Sequence, residues 1–389
     1  MEPHPPEFRP RAFLLVTWAV NVSINAFYIA PAPVFPEMIR DLGISNAQAG
    51  ALISAYLVSI LLFQLPAGYV IDRRDPRTVI VGASLAFVAL GVSMSLVPRY
   101  DALLALRILA GIPVAFIFVP SAFLVSRAFD RAPGKALGIF LSAPPSGVAL
   151  GTLISPILGA AFGWPVVFAA FALPLLPLVP AFVRVSAGLP TRPRERFHRR
   201  DYFAAFRKRE VWKVGMVFAC SYAAYIFFAS WTPTYLRATG VLNVAVIGVL
   251  SALIPAAGIL SRPLGGHLAE TTFARDKRWV PAIAFAGLFG VSLAVPFAAA
   301  GAVPLLIASG FLAQFPFSVY YLFSSQALPR RFGGTAYALM NTTSLVGGSI
   351  SPALAGFLVD LTGGFTAAFA MIAATALLGL GLVAAVRER

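Results

Sequence analysis

One short stretch separates two long apolar segments and reads Gly68-Tyr69-Val70-Ile71-Asp72-Arg73-Arg74-Asp75-Pro76-Arg77. Five of these ten residues are charged, whereas the flanking segments, 47–71 and 78–96, carry no charged residue. Each segment has about the ~20 residues that an α-helix needs to cross ~30 Å of hydrocarbon. The pattern therefore predicts two membrane-spanning helices that are joined by a basic loop at one membrane face.

The rest of the chain repeats this alternation of apolar segments and basic loops. Of its 389 residues, 59% are hydrophobic and 12% are charged, against roughly 25% charged residues in soluble domains. Such a chain has too little polar surface to face water, so lipid must be its solvent. We predict an all-α polytopic membrane protein with twelve transmembrane helices, at Ala12–Ala32, Ala47–Ile71, Thr78–Leu96, Ala102–Ser126, Ala136–Phe162, Val166–Val185, Val214–Tyr235, Val244–Ala269, Val280–Ala300, Val303–Ala327, Thr335–Leu361 and Phe365–Val386.

The loops predict the orientation. Of 30 Lys and Arg residues, 25 lie on the side where the first helix begins, and only Arg40, Arg99 and Arg237 lie in loops on the other side. This asymmetry predicts a cell (inner) membrane protein with both termini in the cytoplasm. The net charge of +15 then reflects loops near anionic headgroups, and no nucleic-acid partner is expected. The one long connection, 186–213, is interpreted as a basic cytoplasmic linker that lies partly on the inner leaflet; a regulatory or nucleic-acid role for it is the alternative.

The two halves of the chain resemble each other. Pro33-Val34-Phe35 at the end of helix 1 matches Pro233-Thr234-Tyr235 at the end of helix 7, and Gly68 matches Gly266. The repeat predicts an N-terminal six-helix bundle at 1–185 and a C-terminal six-helix bundle at 214–389. A solute site is expected at the membrane midplane, between two halves that rock against each other. We expect a monomer.

The loop at 68–77 resembles the signature loop of the major facilitator superfamily, glycine-x-x-x-aspartate-arginine-x-glycine-x-arginine, with Asp75 at the second glycine. Leu103-x-x-x-Arg107-x-x-x-Gly111 in helix 4 also resembles a motif of that superfamily. The resemblance implies two pseudo-symmetric six-helix bundles and transport by alternating access. A carboxylate at a helix end can pair with arginines in one state and release them in the other; the alternative is that the arginines only hold the loop inside. The predicted gating residues are Gly68, Asp72, Arg73, Arg77 and Glu270.

Arg262 is the residue that most narrows the chemical class of the solute. It lies about seven residues from the cytoplasmic end of helix 8, and therefore roughly 10 Å inside the membrane. A buried arginine costs at least ~2.5–3.5 kcal/mol, and its natural partner is an anion. No acidic residue lies in the middle of any predicted helix, so the missing counterion could be the substrate. The alternatives are that Arg262 extends to the inner surface or pairs with Glu270.

The string Arg262-Pro263-Leu264-Gly265-Gly266 resembles the helix 8 segment of nitrate/nitrite porters. An arginine at this place is also similar to one in oxalate:formate antiporters and monocarboxylate transporters, and all three groups carry small anions. Nitrate porters have a second arginine at the symmetry-related position of helix 2, where this chain has Gln64. This departure favours a small organic anion, such as a mono- or dicarboxylate, over nitrate.

Polar side chains on other helices are candidates to line the same site. Asn25 and Tyr28 share one face of helix 1, and the repeat places Ser221, Tyr225 and Phe228 on the matching face of helix 7. Polar groups in lipid are costly unless they face the bundle interior, although hydrogen bonding between helices requires the same residues. The predicted substrate-binding residues are Arg262, Asn25, Tyr28, Gln64, Tyr225, Gln314, Tyr321 and Asn341.

These features together predict a secondary transporter of a small organic anion, working by exchange or symport. The sequence shows no nucleophile–base pair or phosphate-binding glycine loop, so we predict no enzyme. Its single cysteine, Cys220, and three scattered histidines offer no metal site, and no cofactor is expected. The alternative function is efflux of hydrophobic or cationic compounds by a drug/proton antiporter. The 33 Phe residues favour it, and the lack of a mid-membrane acid in the first half opposes it.

Overall fold

The computed structural model describes residues 8–71, 73–129, 133–189, 209–240, 243–298, 301–327 and 333–386, and within these ranges all its regular elements are helical. Twelve of its segments are long and apolar enough to cross a membrane, as predicted. We number them spans 1 to 12: Pro10–Leu42, Asn46–Ile71, Pro76–Leu96, Tyr100–Ala128, Ala136–Phe162, Val166–Ser186, Arg209–Ala238, Val244–Glu270, Trp279–Phe297, Ala302–Phe323, Met340–Thr362 and Thr366–Ala385.

Five spans are not single helices. Proline is present at or beside each break, because its ring collides with the preceding turn and it cannot donate a backbone hydrogen bond. The break in span 5 lies just before Pro144-Pro145. None of the five breaks is apparent from hydropathy. The helical pieces are Pro10–Ile29, Ala32–Val34 and Phe35–Leu42 in span 1; Pro133–Phe140 and Ala143–Phe162 in span 5; Val166–Ala172 and Leu175–Ser186 in span 6; Trp279–Ala294 and Val295–Phe297 in span 9; and Ala302–Gln314 and Phe317–Ala327 in span 10.

Corresponding spans of the two halves pack in corresponding pairs. Span 1 packs on span 5 as span 7 packs on span 11, and span 3 packs on span 6 as span 9 packs on span 12. The halves meet through another symmetric arrangement, in which span 2 packs on span 11 and span 8 packs on span 5. The helix of span 11 begins earlier than its apolar core, at Gly333, and runs to Thr362. The structure therefore has the predicted plan of two pseudo-symmetric six-helix bundles.

The two membrane faces differ in how the halves touch. We call the face at which span 2 ends and span 3 begins the basic side, and the other face the opposite side. On the opposite side, Arg237 forms an ion pair with Glu37 across the halves. The ring centroids of Phe35 and Trp231 lie 5.3 Å apart near the same face. These contacts close the opposite side.

Arg107 ties three spans of the first half together from within. Its side chain is fully buried, and it donates hydrogen bonds to the carbonyl oxygens of Leu52 at 3.0 Å, Phe27 at 3.3 Å and Tyr28 at 2.6 Å. Its guanidinium carbon also lies 4.5 Å from the ring centroid of Tyr56. Backbone oxygens rather than a carboxylate thus satisfy this buried cation. The arrangement fixes the backbone of span 1 at Phe27 and Tyr28.

Candidate functional site

A cavity of about 350 Å³ lies between the two halves, in the middle and on the basic side of the molecule. Eight spans contribute to its wall, from both bundles. The lining residues are Ile24, Asn25, Tyr28, Tyr56, Leu57, Ile60, Gln64, Val114, Phe118, Gly138, Leu141, Ser142, Pro144, Pro145, Val148, Phe218, Tyr222, Tyr225, Gly258, Ile259, Arg262, Pro263, Phe317, Ser318, Tyr321, Asn341, Ser344 and Leu345.

Most of the residues that sequence reasoning selected lie together in this wall. Seven of the eight line the cavity: Arg262, Asn25, Tyr28, Gln64, Tyr225, Tyr321 and Asn341. Gln314 is the exception, because its side chain is fully buried between spans 8 and 10 and does not border the cavity. The structure therefore brings the selected residues of spans 1, 2, 7, 8, 10 and 11 to one place.

Arg262 is held in the wall by a neutral amide and an aromatic ring. Its Nη2 donates to Gln314 Oε1 at 2.7 Å, and its guanidinium carbon lies 4.8 Å from the ring centroid of Phe317. Its Nε is buried and has no hydrogen-bond partner among the described residues. In that part of the chain Arg262 forms no ion pair, and Glu270, the alternative partner, is exposed. An uncompensated donor on a cation favours an anion at this point.

Gln314 positions Arg262. Its Nε2 donates to the carbonyl oxygens of Ile254 at 3.1 Å, Pro255 at 3.4 Å and Gly310 at 3.1 Å. These acceptors fix which way the amide points, so its oxygen must face the arginine. Spans 8 and 10 approach closely here because Gly258 and Gly265 lack a Cβ. A Cβ would overlap the Gln314 side chain at the first position and the Phe315 carbonyl at the second.

The described part of the wall carries one fixed charge. Among the described residues that line the cavity, Arg262 is the only charged one, and none is Asp, Glu, His or Lys. Gln64 takes the symmetry-related place in span 2, and its Oε1 accepts a hydrogen bond from Thr342 Oγ1 at 3.2 Å across the halves. The cavity is therefore positive, and its positive charge lies in the second half.

The wall from the first half contains a tyrosine hydroxyl that no described group engages. The rings of Tyr28 and Tyr56 stack with centroids 5.8 Å apart. The Tyr28 hydroxyl is buried and, within the described residues, forms no hydrogen bond. Asn25 Nδ2 donates to the Asn21 carbonyl at 2.8 Å, which turns the Asn25 amide along its own helix. The Tyr28 hydroxyl thus keeps a hydrogen-bond donor that no described group accepts.

An aromatic cluster formed by Phe218, Tyr222 and Phe317 also lines the cavity. It was not predicted from the sequence. The ring centroid of Phe317 lies 4.9 Å from that of Phe218 and 6.1 Å from that of Tyr222. On span 7 a different helix face lines the cavity from the one predicted. Ser221 does not border the cavity; it is buried against Tyr320, with 2.6 Å between their hydroxyl oxygens. The spacing of Phe218, Tyr222 and Tyr225 at i, i+4 and i+7 marks one helix face and could have indicated this surface.

The sequence motifs, the twelve spans and the cavity between two bundles all agree with one family assignment. Residues 16–352 match the family model of the Major Facilitator Superfamily. The chain belongs to this superfamily. As a superfamily member it is a membrane transporter and not an enzyme.

Two similar superfamily proteins and one solved structure bear on this assignment. The chain is 27% identical to the probable sulfoacetate transporter SauU of Cupriavidus necator, over 94% of this chain and 88% of that protein. It is 23% identical to the hexuronate transporter of Bacillus subtilis, over 92% and 89% of the two chains. The crystal structure of a bacterial homologue of the human lysosomal transporter Spinster matches with a TM-score of 0.79 at 17% identity, over 97% and 95%. That likeness shows the superfamily fold.

The superfamily signature loop has a definite local structure where it is described. The guanidinium of Arg73 lies 4.1 Å from the ring centroid of Tyr69. Arg77 Nη2 donates to the Leu189 carbonyl at 2.6 Å, which ties span 3 to the end of span 6. A Cβ added at Gly68 would meet no neighbouring atom within 4 Å. Asp72 lies outside the described residues.

Proposed function

We propose that this protein is a secondary transporter that carries a small organic anion by alternating access, with Arg262 binding the anion. The observation that carries the proposal is that Arg262 lines an internal cavity without acidic side chains in its described wall, while its Nε lacks a partner among the described residues. Removing an arginine from water costs free energy unless an anion compensates it. A substrate carboxylate or sulfonate supplies that compensation.

The names of the similar proteins support this proposal. Sulfoacetate and hexuronates are both organic anions, and the two transporters named for them align with nearly the whole chain. The alternative, efflux of a cationic compound, has less support, because the described cavity wall offers a cation one arginine and no carboxylate. The wall also holds no described histidine, a group that could carry a proton with the substrate. Its composition thus favours exchange over proton symport.

We propose further that the halves act as rigid units, at 1–185 and 214–389, joined by the linker 186–213. In this assignment the basic side faces the cytoplasm, the termini are cytoplasmic, and the protein lies in the inner membrane. The state described is then open inward, because the opposite side is closed by contacts such as Arg237–Glu37. The protein is expected to act as a monomer without nucleic acid. Gly68, Asp72, Arg73, Arg77 and Glu270 are assigned to the gate that closes the basic side.

The direct test is transport by the Arg262→Gln variant in proteoliposomes. Uptake of labelled phenylacetate, sulfoacetate, glucuronate and lactate by this variant is compared with uptake by the parent protein and by Arg40→Gln. Arg40 is a suitable control because its side chain is 75% exposed on the opposite side. We expect Arg262→Gln to lose at least about tenfold in uptake, since a charge-assisted hydrogen bond contributes roughly 1.5–3 kcal/mol. Undiminished anion uptake by a folded Arg262→Gln protein would refute the proposal.

A further inference from the structure

The chemistry of the cavity wall restricts the number of charges on the anion and the shape of its body. We infer that the substrate is a monovalent carboxylate or sulfonate with a flat apolar body, an aromatic monocarboxylate in its simplest form. Dianions and polyhydroxy acids fit the same wall poorly. This inference rests on the proposed function, because it seats the anionic group at Arg262.

The number of charges on the substrate follows from the number of cations that can reach it. Arg262 alone among the described lining residues is charged, and the symmetry-related position is the neutral Gln64. The guanidinium of Arg107 is not available, because it lies behind the ring of Tyr56 and donates to three backbone carbonyls. A second anionic group would therefore be buried without a charge partner, which is strongly unfavourable. The wall is matched to one negative charge.

The shape of the body follows from what surrounds Arg262. The guanidinium lies over the ring of Phe317, whose centroid is 4.9 Å from that of Phe218 and 6.1 Å from that of Tyr225. A substrate whose anionic group binds at the Arg262 guanidinium must place its adjoining atoms against these rings. Aromatic groups pack there in offset or edge-to-face geometry. A cavity of about 350 Å³ lies at the small end of ligand sites, which suits a single ring.

Polyhydroxy acids meet a wall whose described serine hydroxyls already donate to backbone carbonyls. Ser142 Oγ donates to the Ile139 carbonyl at 2.7 Å, and Ser344 Oγ donates to the Asn341 carbonyl at 2.8 Å. Ser318 Oγ donates to the carbonyl of Arg262 at 2.9 Å. Each buried substrate hydroxyl that finds no partner costs free energy. An apolar ring requires no such partners.

A matched set of four probes tests the inference on the purified full-length protein by isothermal titration calorimetry. Phenylacetate carries one charge and a ring, and phenylmalonate adds a second charge. Glucuronate keeps one charge and replaces the ring by a polyhydroxy body, and phenylacetamide keeps the ring without a charge. We expect phenylacetate to bind at least about tenfold more tightly than each of the other three, which corresponds to roughly 1.4 kcal/mol.

The probes separate this inference from the function on which it rests. Binding of phenylmalonate or glucuronate as tight as that of phenylacetate overturns the inference and leaves anion transport standing. Failure of phenylacetate to bind to folded protein also overturns it. Binding of phenylacetamide equal to that of phenylacetate instead contradicts the proposed function, because recognition would then not depend on charge.

A variant tests the ring contact itself. Phe317→Leu is expected to weaken phenylacetate binding about five- to tenfold and to weaken propionate binding clearly less, because propionate has no ring to pack. Phe297→Leu is the matched control, since Phe297 is 81% exposed at the end of span 9, and it should alter neither affinity. An equal loss for both acids in Phe317→Leu would contradict the ring contact. The melting temperature of each variant reports whether it is folded.

Discussion

The carboxylate of Asp360, near the end of span 11, caps the start of span 2 at Asn46. Its Oδ1 accepts from the backbone N of Asn46 at 3.0 Å and from Nδ2 of the same residue at 2.7 Å. Its Oδ2 accepts from the backbone N of Ala47 at 2.8 Å. The contact satisfies free amide groups of a helix start and places a negative charge at the positive end of its dipole. Because spans 2 and 11 belong to different halves, this cap joins them on the opposite side.

Replacing Asp360 with asparagine should shift the protein toward a state that is open on the opposite side. The amide keeps an acceptor but loses the charge, so we expect a change of about 1–2 kcal/mol, which is roughly a five- to thirtyfold change in the ratio of states. Pulsed electron paramagnetic resonance between spin labels at Arg40→Cys and Asn243→Cys, with Cys220→Ala, measures the separation of the halves.

Asp101→Asn is the control for this measurement. Asp101 is an exposed acid in the first turn of span 4, on the same side of the molecule, and its replacement should leave the distances unchanged. Identical distance distributions for Asp360→Asn and the parent protein would show that the cap does not hold the halves together.

Replacing Arg107 with lysine should destabilise the protein. An ammonium group is compact and cannot reach three separate carbonyl oxygens as the guanidinium does, so two hydrogen bonds of a buried cation are lost. We expect a loss of about 2–4 kcal/mol in the free energy of unfolding and a melting temperature several degrees lower. Thermal unfolding of the purified protein measures the change. Arg99→Lys, at an exposed position before span 4, should melt like the parent.

Hydropathy predicts the twelve helices and the paired halves because a span must be apolar and about 20 residues long. It also predicts that Arg262 faces the protein interior, since a cation in an apolar run is too costly against lipid. The same rule cannot distinguish a cavity wall from a contact between helices, because both are interior, so it does not show that Gln314 lies between spans 8 and 10 instead of in the wall. The aromatic cluster was missed because phenylalanine is equally suited to lipid and to a cavity wall. Its position also depends on the break before Phe317 in span 10, which hydropathy does not show.

Replacing Gln314 with glutamate should weaken anion binding, and it should also lower the melting temperature, because one carboxylate oxygen then faces the backbone carbonyls to which the amide donated. The new carboxylate has the shape of the amide and lies at hydrogen-bond distance from Arg262, so it supplies an internal counterion. We expect anion affinity to fall at least about tenfold, because the substrate must now displace a charge-assisted contact. Titration calorimetry with the preferred anion measures the affinity. Gln48→Glu, at an exposed position, should bind normally; unchanged affinity in Gln314→Glu would disprove the role of Arg262.

Two tyrosine substitutions should separate anion affinity from stability. Tyr28→Phe removes a hydroxyl that has no partner in the described structure, so thermal stability should stay the same while anion affinity falls about two- to tenfold. Tyr235→Phe removes a hydroxyl that donates to the Val295 carbonyl at 3.1 Å, so stability should fall by about 1 kcal/mol while affinity stays the same. Melting temperature and calorimetry on both variants measure this. A stability loss without an affinity loss in Tyr28→Phe would assign its hydroxyl to the fold.

The single arginine in the cavity wall makes the molecule electrically different when it is empty and when it is loaded. With Arg262 as the only charge among the described lining residues, an empty cavity carries one positive charge and a cavity with a monovalent anion carries none. A membrane voltage acts on net charge that moves, with about 2.3 kcal/mol per charge for each 100 mV. Under the proposed function, a membrane voltage therefore acts on the cavity charge during reorientation of the unloaded protein, and finds no net cavity charge to act on in the loaded protein.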